Sequence, residues 1–433
     1  MKKIFSILAA AVVLAVSCEP STPAGKTYEV NVALEVAGEA YAVADATVTM
    51  RNLNGNTSYT SQTNENGVAA FSVPAGLYEA SCSFKHDEQG ILYTYNGVTP
   101  NVSVTESGDK NFKISLVASK TSQIIVKEMY TGGCKGSTGS AFRNDSYIIL
   151  YNNSSTVADA SKVCFAFAMP FNSNASSPWR TDDGKLSYED SYIPAGYGIW
   201  YFNTDVKIQP YSQIVVATKG AIDHAKTHPN SIDLSNADYV MYDPESGYNN
   251  PYYAAPSTTI PTTNYLKAYK WGAGNGWALS VGSAAFFIYN MENPATFIQN
   301  EANTENPAVA VGVCAKIPLE NVVDAVEIFA IGKESQNAKR IPATLDAGYV
   351  YHTTDEGYTV YRNVDKEATE AIEGNKAKLV YDYSLGTTDI DQTTDPSGID
   401  AEASIANGAI IIYKDTNNST NDFHLRKRAS LKK

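Results

Sequence analysis

From residue 27 to about residue 117, polar and apolar residues alternate with little interruption, in YEVNVALEV, ATVTMRNL, SYTSQT, VAAFSVP, LYEASCSF and FKISLV. A period of two suits a strand with one buried face, and no helix satisfies it. Gly, Asn, Asp and Pro separate these short runs, so the stretch 27–118 predicts a small antiparallel β-sandwich. Asn66 and Gly67 supply a tight hairpin turn, and Phe71 and Tyr78 are expected in one core.

The rest of the chain has the same bias. Its 29 Tyr outnumber 14 Phe and 4 Trp, and long Leu/Glu/Lys/Ala runs are scarce, which favours strands throughout. A chain of 433 residues exceeds one ordinary core, so more than one domain is expected. In the first region the order ATV (46–48), TNENG (63–67) and FSVPAGLY (71–78) resembles the carboxypeptidase regulatory-like, or prealbumin-like, domain. The resemblance implies a spacer or stalk without catalytic residues, leaving Asp45, Glu65 and Asp87 as turn and surface carboxylates.

A break falls at residues 118–121. After it, IIVKE (124–128), YIILYNN (147–153) and IQPYSQIVV (208–216) resemble a lamin-tail-like β-sandwich. That pattern usually has an acid near the centre of its second strand, where this chain has Ile148 and Ile149, so no role for such an acid carries over. Residues 222–345, with NNPYYAAPSTTIPTTNY and WGAGNGW, read as a long insertion holding buried strands at 284–289, 309–315 and 325–332. Strands are expected again at 350–362, 378–383 and 409–414. No period of about 20–50 residues repeats, which disfavours a solenoid or propeller. The expected fold is all-β: an N-terminal Ig/prealbumin-like sandwich, then a larger lamin-tail-like sandwich over 119–433 with the insertion at about 222–345.

The first residues constrain location. Lys2 and Lys3 precede an apolar stretch at 4–16 that is too short to span a bilayer, followed by Ala15, Val16, Ser17 and Cys18. Small residues before a cysteine resemble the lipobox of bacterial lipoproteins, although Leu14 does not stand third before the cysteine, as that motif prefers. The resemblance implies that residues 1–18 form a leader ending at an acylated Cys18, that 19–26 are a tether, and that a membrane is a partner through the lipid. A net charge of −13 argues against nucleic acid, and the basic Arg426, Lys427 and Arg428 read as a solvated tail. Cys82, Cys134, Cys164 and Cys314 allow three disulfide pairings. Their irregular spacing suits buried free thiols better.

Four candidate sites arise. His224 and His228 stand four apart beside Asp223, a metal-ligand spacing that lacks a third ligand; a polar loop is the competing reading. Asp389, Asp391 and Asp395, with Asp400 and Glu402 nearby, are calcium candidates against a solvated acidic loop turning at Pro396 and Gly398. Trp271 and Trp277 bracket AGNG and are candidates to stack on a glycan; ordinary packing is the alternative. DTNNSTNDF (415–423) places oxygens at alternate positions, yet Thr420 and Arg426 stand where an EF-hand loop needs Gly and Glu. Asx turns after a strand, with Phe423 closing the core, explain that stretch better.

The lipobox, the sandwich, the Gly-Gly-Cys at 132–134 and DTNNS at 415–419 together resemble a Bacteroidetes cell-envelope lipoprotein family of unknown function. The resemblance implies an outer-membrane, surface-exposed location and association with TonB-dependent uptake. GxSxG, HExxH and phosphate-cradling Gly-rich loops are missing, so catalysis would need residues assembled in space. The expectation is a non-enzymatic protein with no cofactor, acting in binding or scaffolding. Adhesion or glycan binding through the Tyr/Trp-rich insertion is the alternative, and an unrecognised hydrolase a third.

Overall fold

A computed structural model describes residues 26–432 except 54–56, 89–90, 121, 175, 249–252, 273–275, 278, 309–310, 334 and 388–392. The leader, the tether to residue 25 and Cys18 therefore lie outside the described residues, as do Asp389 and Asp391.

The N-terminal alternation folds as expected. Strands Thr27–Val36, Thr47–Asn52, Ser58–Gln62, Val68–Pro74, Gly76–Glu88, Ile91–Val104 and Asn111–Lys120 form one continuous ladder that wraps into a sandwich. Thr27–Val36 runs parallel to Asn111–Lys120 and antiparallel to Val68–Pro74. Val30, Val32 and Leu34 point inward against Val48, Met50 and Ala80, with Phe71 and Tyr78 in the same core. Gly67, at φ +72°, fits its turn because a Cβ there would sit 2.0 Å from the Tyr41 carbonyl oxygen.

The larger region stacks three sheets. The first contains, in order, Tyr239–Val240, Gln213–Ala217, Tyr147–Asn152, Ile124–Tyr130, Thr359–Arg362 and Phe423–Arg426. The central sheet runs Lys267–Lys270, Gly198–Tyr201, Val163–Phe167, Ala285–Asn290, Val322–Ala330 and Val350–His352. A small third sheet, Tyr192–Gly196, Cys314–Pro318 and Thr304–Glu305, covers the far side of the central one. The main core lies between the first two, where Val126, Met129, Ile148 and Leu150 meet Phe165, Phe286, Ile288 and Val326. Every residue of Ile124–Tyr130 and Tyr147–Asn152 is buried, because further chain covers the outer face of the first sheet as well.

Three sequence expectations need correction. Residues 222–345 are no insertion: they supply three of the six central strands and two of the three in the small sheet. The Pro- and Tyr-rich loops between short strands disguise this. Residues 409–414 form no strand. Three side chains take the place of a ladder: Asn375 bonds Ile410 N and O at 2.8 and 2.7 Å, Thr369 bonds those of Ile412, and Asn153 those of Tyr413. Residues 378–383 likewise follow the 3-10 turn Lys376–Lys378 as extended chain, with Val380 N bonded to Ser404 Oγ at 2.9 Å. Cys82, Cys134, Cys164 and Cys314 are buried and unpaired, as expected.

Candidate functional site

The two sandwiches meet over residues 415–423. Asn417 takes φ +52°, and Asn418 caps the one-turn helix Ser419–Asp422 by accepting the Thr420 N–H at 3.0 Å. Asp422 accepts from Thr416 N at 2.8 Å and Thr416 Oγ1 at 2.7 Å. Ser419 donates through N and Oγ to Asp346 at 2.7 and 2.6 Å, and Thr420 bonds both N and O of Tyr349. Gly348 allows the approach, since a Cβ there would lie 2.0 Å from Asn418 Oδ1. Phe423 is buried in the main core. The stretch is a clasp, as the sequence suggested.

A fully buried cation lies beneath it. Arg362 bonds Val126 O and Lys414 O at 2.8 Å each, pairs with Asp324, approaches Asp415 at 3.5 Å and Asp422 at 3.9 Å, and stacks over Phe423. Asp324 in turn takes the Val126 N–H at 2.6 Å, so the pair satisfies both backbone groups of that residue. Burial pushes the Asp324 carboxyl up to about 7, against the pull of Arg362, and that of Asp422 up to about 6.

The clasp floors a cleft against the N-terminal sandwich. One cavity of 740 Å³ has Thr47 and Ser83 on one wall and Thr394, Ser397, Thr416, Thr420 and Asn421 among those opposite, with Lys366 and Lys414. A second, of 320 Å³, continues past Thr420 and Asn421 to Arg51, Glu79 and Ser81. The larger volume falls in the range of small-ligand sites, which favour domain junctions. Its lining offers hydroxyls and amides for a polar ligand. Among its carboxylates, Asp365 already caps the helix Lys366–Ala371 through Ala368 N at 3.1 Å. Ser83 Oγ is buried and has no hydrogen-bond partner. Cys82 lines the smaller cavity as a neutral thiol, pushed by burial up to about 12.

The sites suggested by sequence are not brought together. Trp277 is only 2% exposed, packs on Phe167, and gives its indole N–H to Gly198 O at 3.0 Å. Trp271 is half-buried beside Tyr269, its N–H bonded to Val313 O at 3.0 Å. The pair is packing, not a glycan platform, and the glycan reading loses its residues. Asp395 is buried and accepts the N–H groups of Val364 and Ser397 at 2.9 and 2.8 Å, a turn-forming role and not a calcium ligand's. His224 is buried against Gly220 O, and His228 Nδ1 accepts from Ser137 N at 3.1 Å, so neither faces a metal. Among the described residues no cluster of His, Cys, Asp and Glu could hold a metal ion.

Sequence reasoning missed the buried charges. A bulge opposite Ile149 and Leu150 turns both Lys127 and Glu128 to the outer face and leaves Val126 and Met129 inside. Lys127 then meets Gln213 and Glu402 at 2.7 Å each, and Glu128 accepts from Tyr147 Oη at 2.7 Å. Charges inside otherwise apolar strands, at Lys127, Glu128, Glu327 and Arg362, were the available signal.

These features define an all-β protein of two sandwiches with a cleft at their junction. More particularly, residues 209–397 match the family described as "Protein of unknown function (DUF4876)". The solved structure of a DUF4876 family protein from Bacteroides thetaiotaomicron is similar in fold, with a TM-score of 0.51 at 24% identity over 92% of this chain and 94% of that one. No curated protein matches the chain.

Proposed function

We propose that the chain is a cell-envelope lipoprotein of the DUF4876 family, held in the outer membrane through Cys18, that acts in binding or scaffolding without catalysis. The cleft carries this reading: a 740 Å³ cavity at a domain junction, its largely apolar surface set with hydroxyls and amides, with the unpartnered Ser83 hydroxyl in its wall. On this reading the carboxypeptidase regulatory-like sandwich is a stalk and the lamin-tail-like sandwich a platform. The partner class is an outer-membrane uptake transporter or its ligand.

The test expresses the full chain with its leader in a Bacteroides host. The unaltered protein should fractionate with the outer membrane and cross-link reproducibly to one envelope partner. Cys18→Ala should release it from the membrane. Ser83→Trp, which fills the cleft, should keep the membrane location and lose the cross-link. Recovery of the unaltered protein in the soluble fraction overturns the anchor, and a cross-link indifferent to Ser83→Trp overturns the cleft.

A further inference from the structure

Away from the cleft, a second recess of 530 Å³ opens where residues 427–432 cross the end of the first sheet. Tyr130, Cys134, Ile232 and Ala429 line it, with Lys135, Lys427, Arg428 and Lys432 around them. Asp355 and Glu356 also line it, and both are engaged. Arg143 takes Asp355 with two bonds, 2.8 and 2.7 Å, and holds its carboxyl below the usual range; Lys135 stands 3.6 Å from Glu356.

The other three cations have no carboxylate partner among the described residues. Arg428 bonds Lys432 O through Nε and Nη2 at 3.2 and 2.8 Å, and Lys432 Nζ bonds Ser231 O at 2.9 Å and Pro229 O. Carbonyls fix these groups in place without neutralising their charge. The Lys427 side chain is exposed and makes no hydrogen bond or ion pair among the described residues, unlike its backbone N–H, which is held by Leu385 O. Ala429 is buried, and Ser430 N bonds Glu128 at 3.0 Å, so the segment is anchored and not a loose tail. Of the acids behind the floor, Glu128 accepts from Tyr147, and Asp145 accepts from Ser231 Oγ at 2.6 Å through Oδ2 while its buried Oδ1 has no hydrogen-bond partner. Burial, with Asp145 beside it, pushes the Cys134 thiol up to about 11, so the floor stays neutral there.

We propose that this recess binds a phosphate monoester, its oxyanion held by Lys427, Arg428 and Lys432 and its organic part against the Tyr130 and Ile232 floor. Arg428 and Lys432 are held on an anchored segment and so preorganised for an oxyanion, exposed Lys427 adds an unneutralised charge beside them, and on a chain of net charge −13 this local excess is distinctive. The site stands apart from the cleft and does not depend on the function proposed for it.

Calorimetric titration of the full soluble portion with glycerol 3-phosphate tests this, beside vesicles containing phosphatidylglycerol. Saturable binding that weakens with salt is expected from one or both probes, and their ratio separates a soluble phosphate from a lipid headgroup. Lys427→Glu should weaken it by about tenfold and Lys427→Glu with Arg428→Glu by more, at an unchanged melting temperature, while the remote Lys378→Glu leaves it intact. No saturable binding to either probe at low salt, or equal binding by Lys427→Glu, overturns the proposal.

Discussion

Asn96 of the N-terminal sandwich gives its side-chain amide to the Thr416 carbonyl at 2.7 Å, and reaches Asn417 O at 3.3 Å, across more than three hundred residues of sequence. It is almost fully buried. This contact fastens the N-terminal sandwich to the clasp across the cleft between them. Asn96→Ala should weaken docking by about 1 kcal/mol, the loss of the bond to Thr416 O, since Asn417 O keeps the Ala347 N–H at 2.7 Å. Differential scanning calorimetry would then resolve the N-terminal sandwich as a separate transition, and one unaltered endotherm would contradict the coupling.

Arg362 pairs with Asp324 and lies within 4 Å of both Asp415 and Asp422. Replacing it by Met keeps the volume and leaves the carboxylates buried without their counter-charge. Urea unfolding of Arg362→Met should show a loss of about 3–5 kcal/mol. A loss below about 1 kcal/mol would mean that the cation is incidental to the clasp.

The same carboxylates make stability depend on pH. Folded Asp324 and Asp422 titrate near 7 and 6, above their unfolded range, so their contribution is complete in acid and is lost as pH rises through those values. Burial depresses His352 to about 4 and His424, also repelled by Arg426, to about 3. Their contribution is complete above the unfolded histidine value and is lost as pH falls toward 4 and 3. The two trends oppose each other, and because half of each unfolded histidine is still charged at about pH 6.5, they nearly cancel from there to about pH 8. The melting temperature of the parent should therefore change little from about pH 6.5 to 8, whereas Asp324→Asn, which removes the larger aspartate contribution, should gain stability over that range; identical profiles would exclude Asp324 as a contributor.

The two indoles should separate cleanly. Trp277→Ala opens a cavity in the main core and should cost about 3–5 kcal/mol, while half-buried Trp271→Ala costs less. Thermal melts of the two variants check the order, and the reverse order would contradict the packing described.

Legibility in the sequence followed the physics of each element. Thr27–Val36 could be read because one face is buried and the other wet, and Ile124–Tyr130 because it opens on the β-branched apolar Ile124, Ile125 and Val126, although Lys127 and Glu128 then interrupt the run. Residues 409–414 looked like a strand for the same apolar reason. The side chains that replace their ladder, Asn375, Thr369 and Asn153, come from distant segments that no local pattern reveals. Lys267–Lys270 was hidden by its four-residue length. The clasp was legible as turn chemistry, whereas the cleft above it needed Thr47 and Ser83 from the other sandwich. Trp277 misled because glycines around it suggest an exposed loop, although the indole points into the core.

Phe423–Arg426 forms the edge of the first sheet, beside Thr359–Arg362 and with two strands between it and Tyr147–Asn152. Synthesis proceeds from the other end. The N-terminal sandwich has all its strands once residue 120 has emerged and can fold at once. The larger region must wait for some three hundred further residues before Arg362 meets Asp422 and the sheet gains its last edge. Until then its apolar strands have no closing partner, so during synthesis the larger region exposes apolar surface for longer than the N-terminal sandwich, which is finished ahead of it.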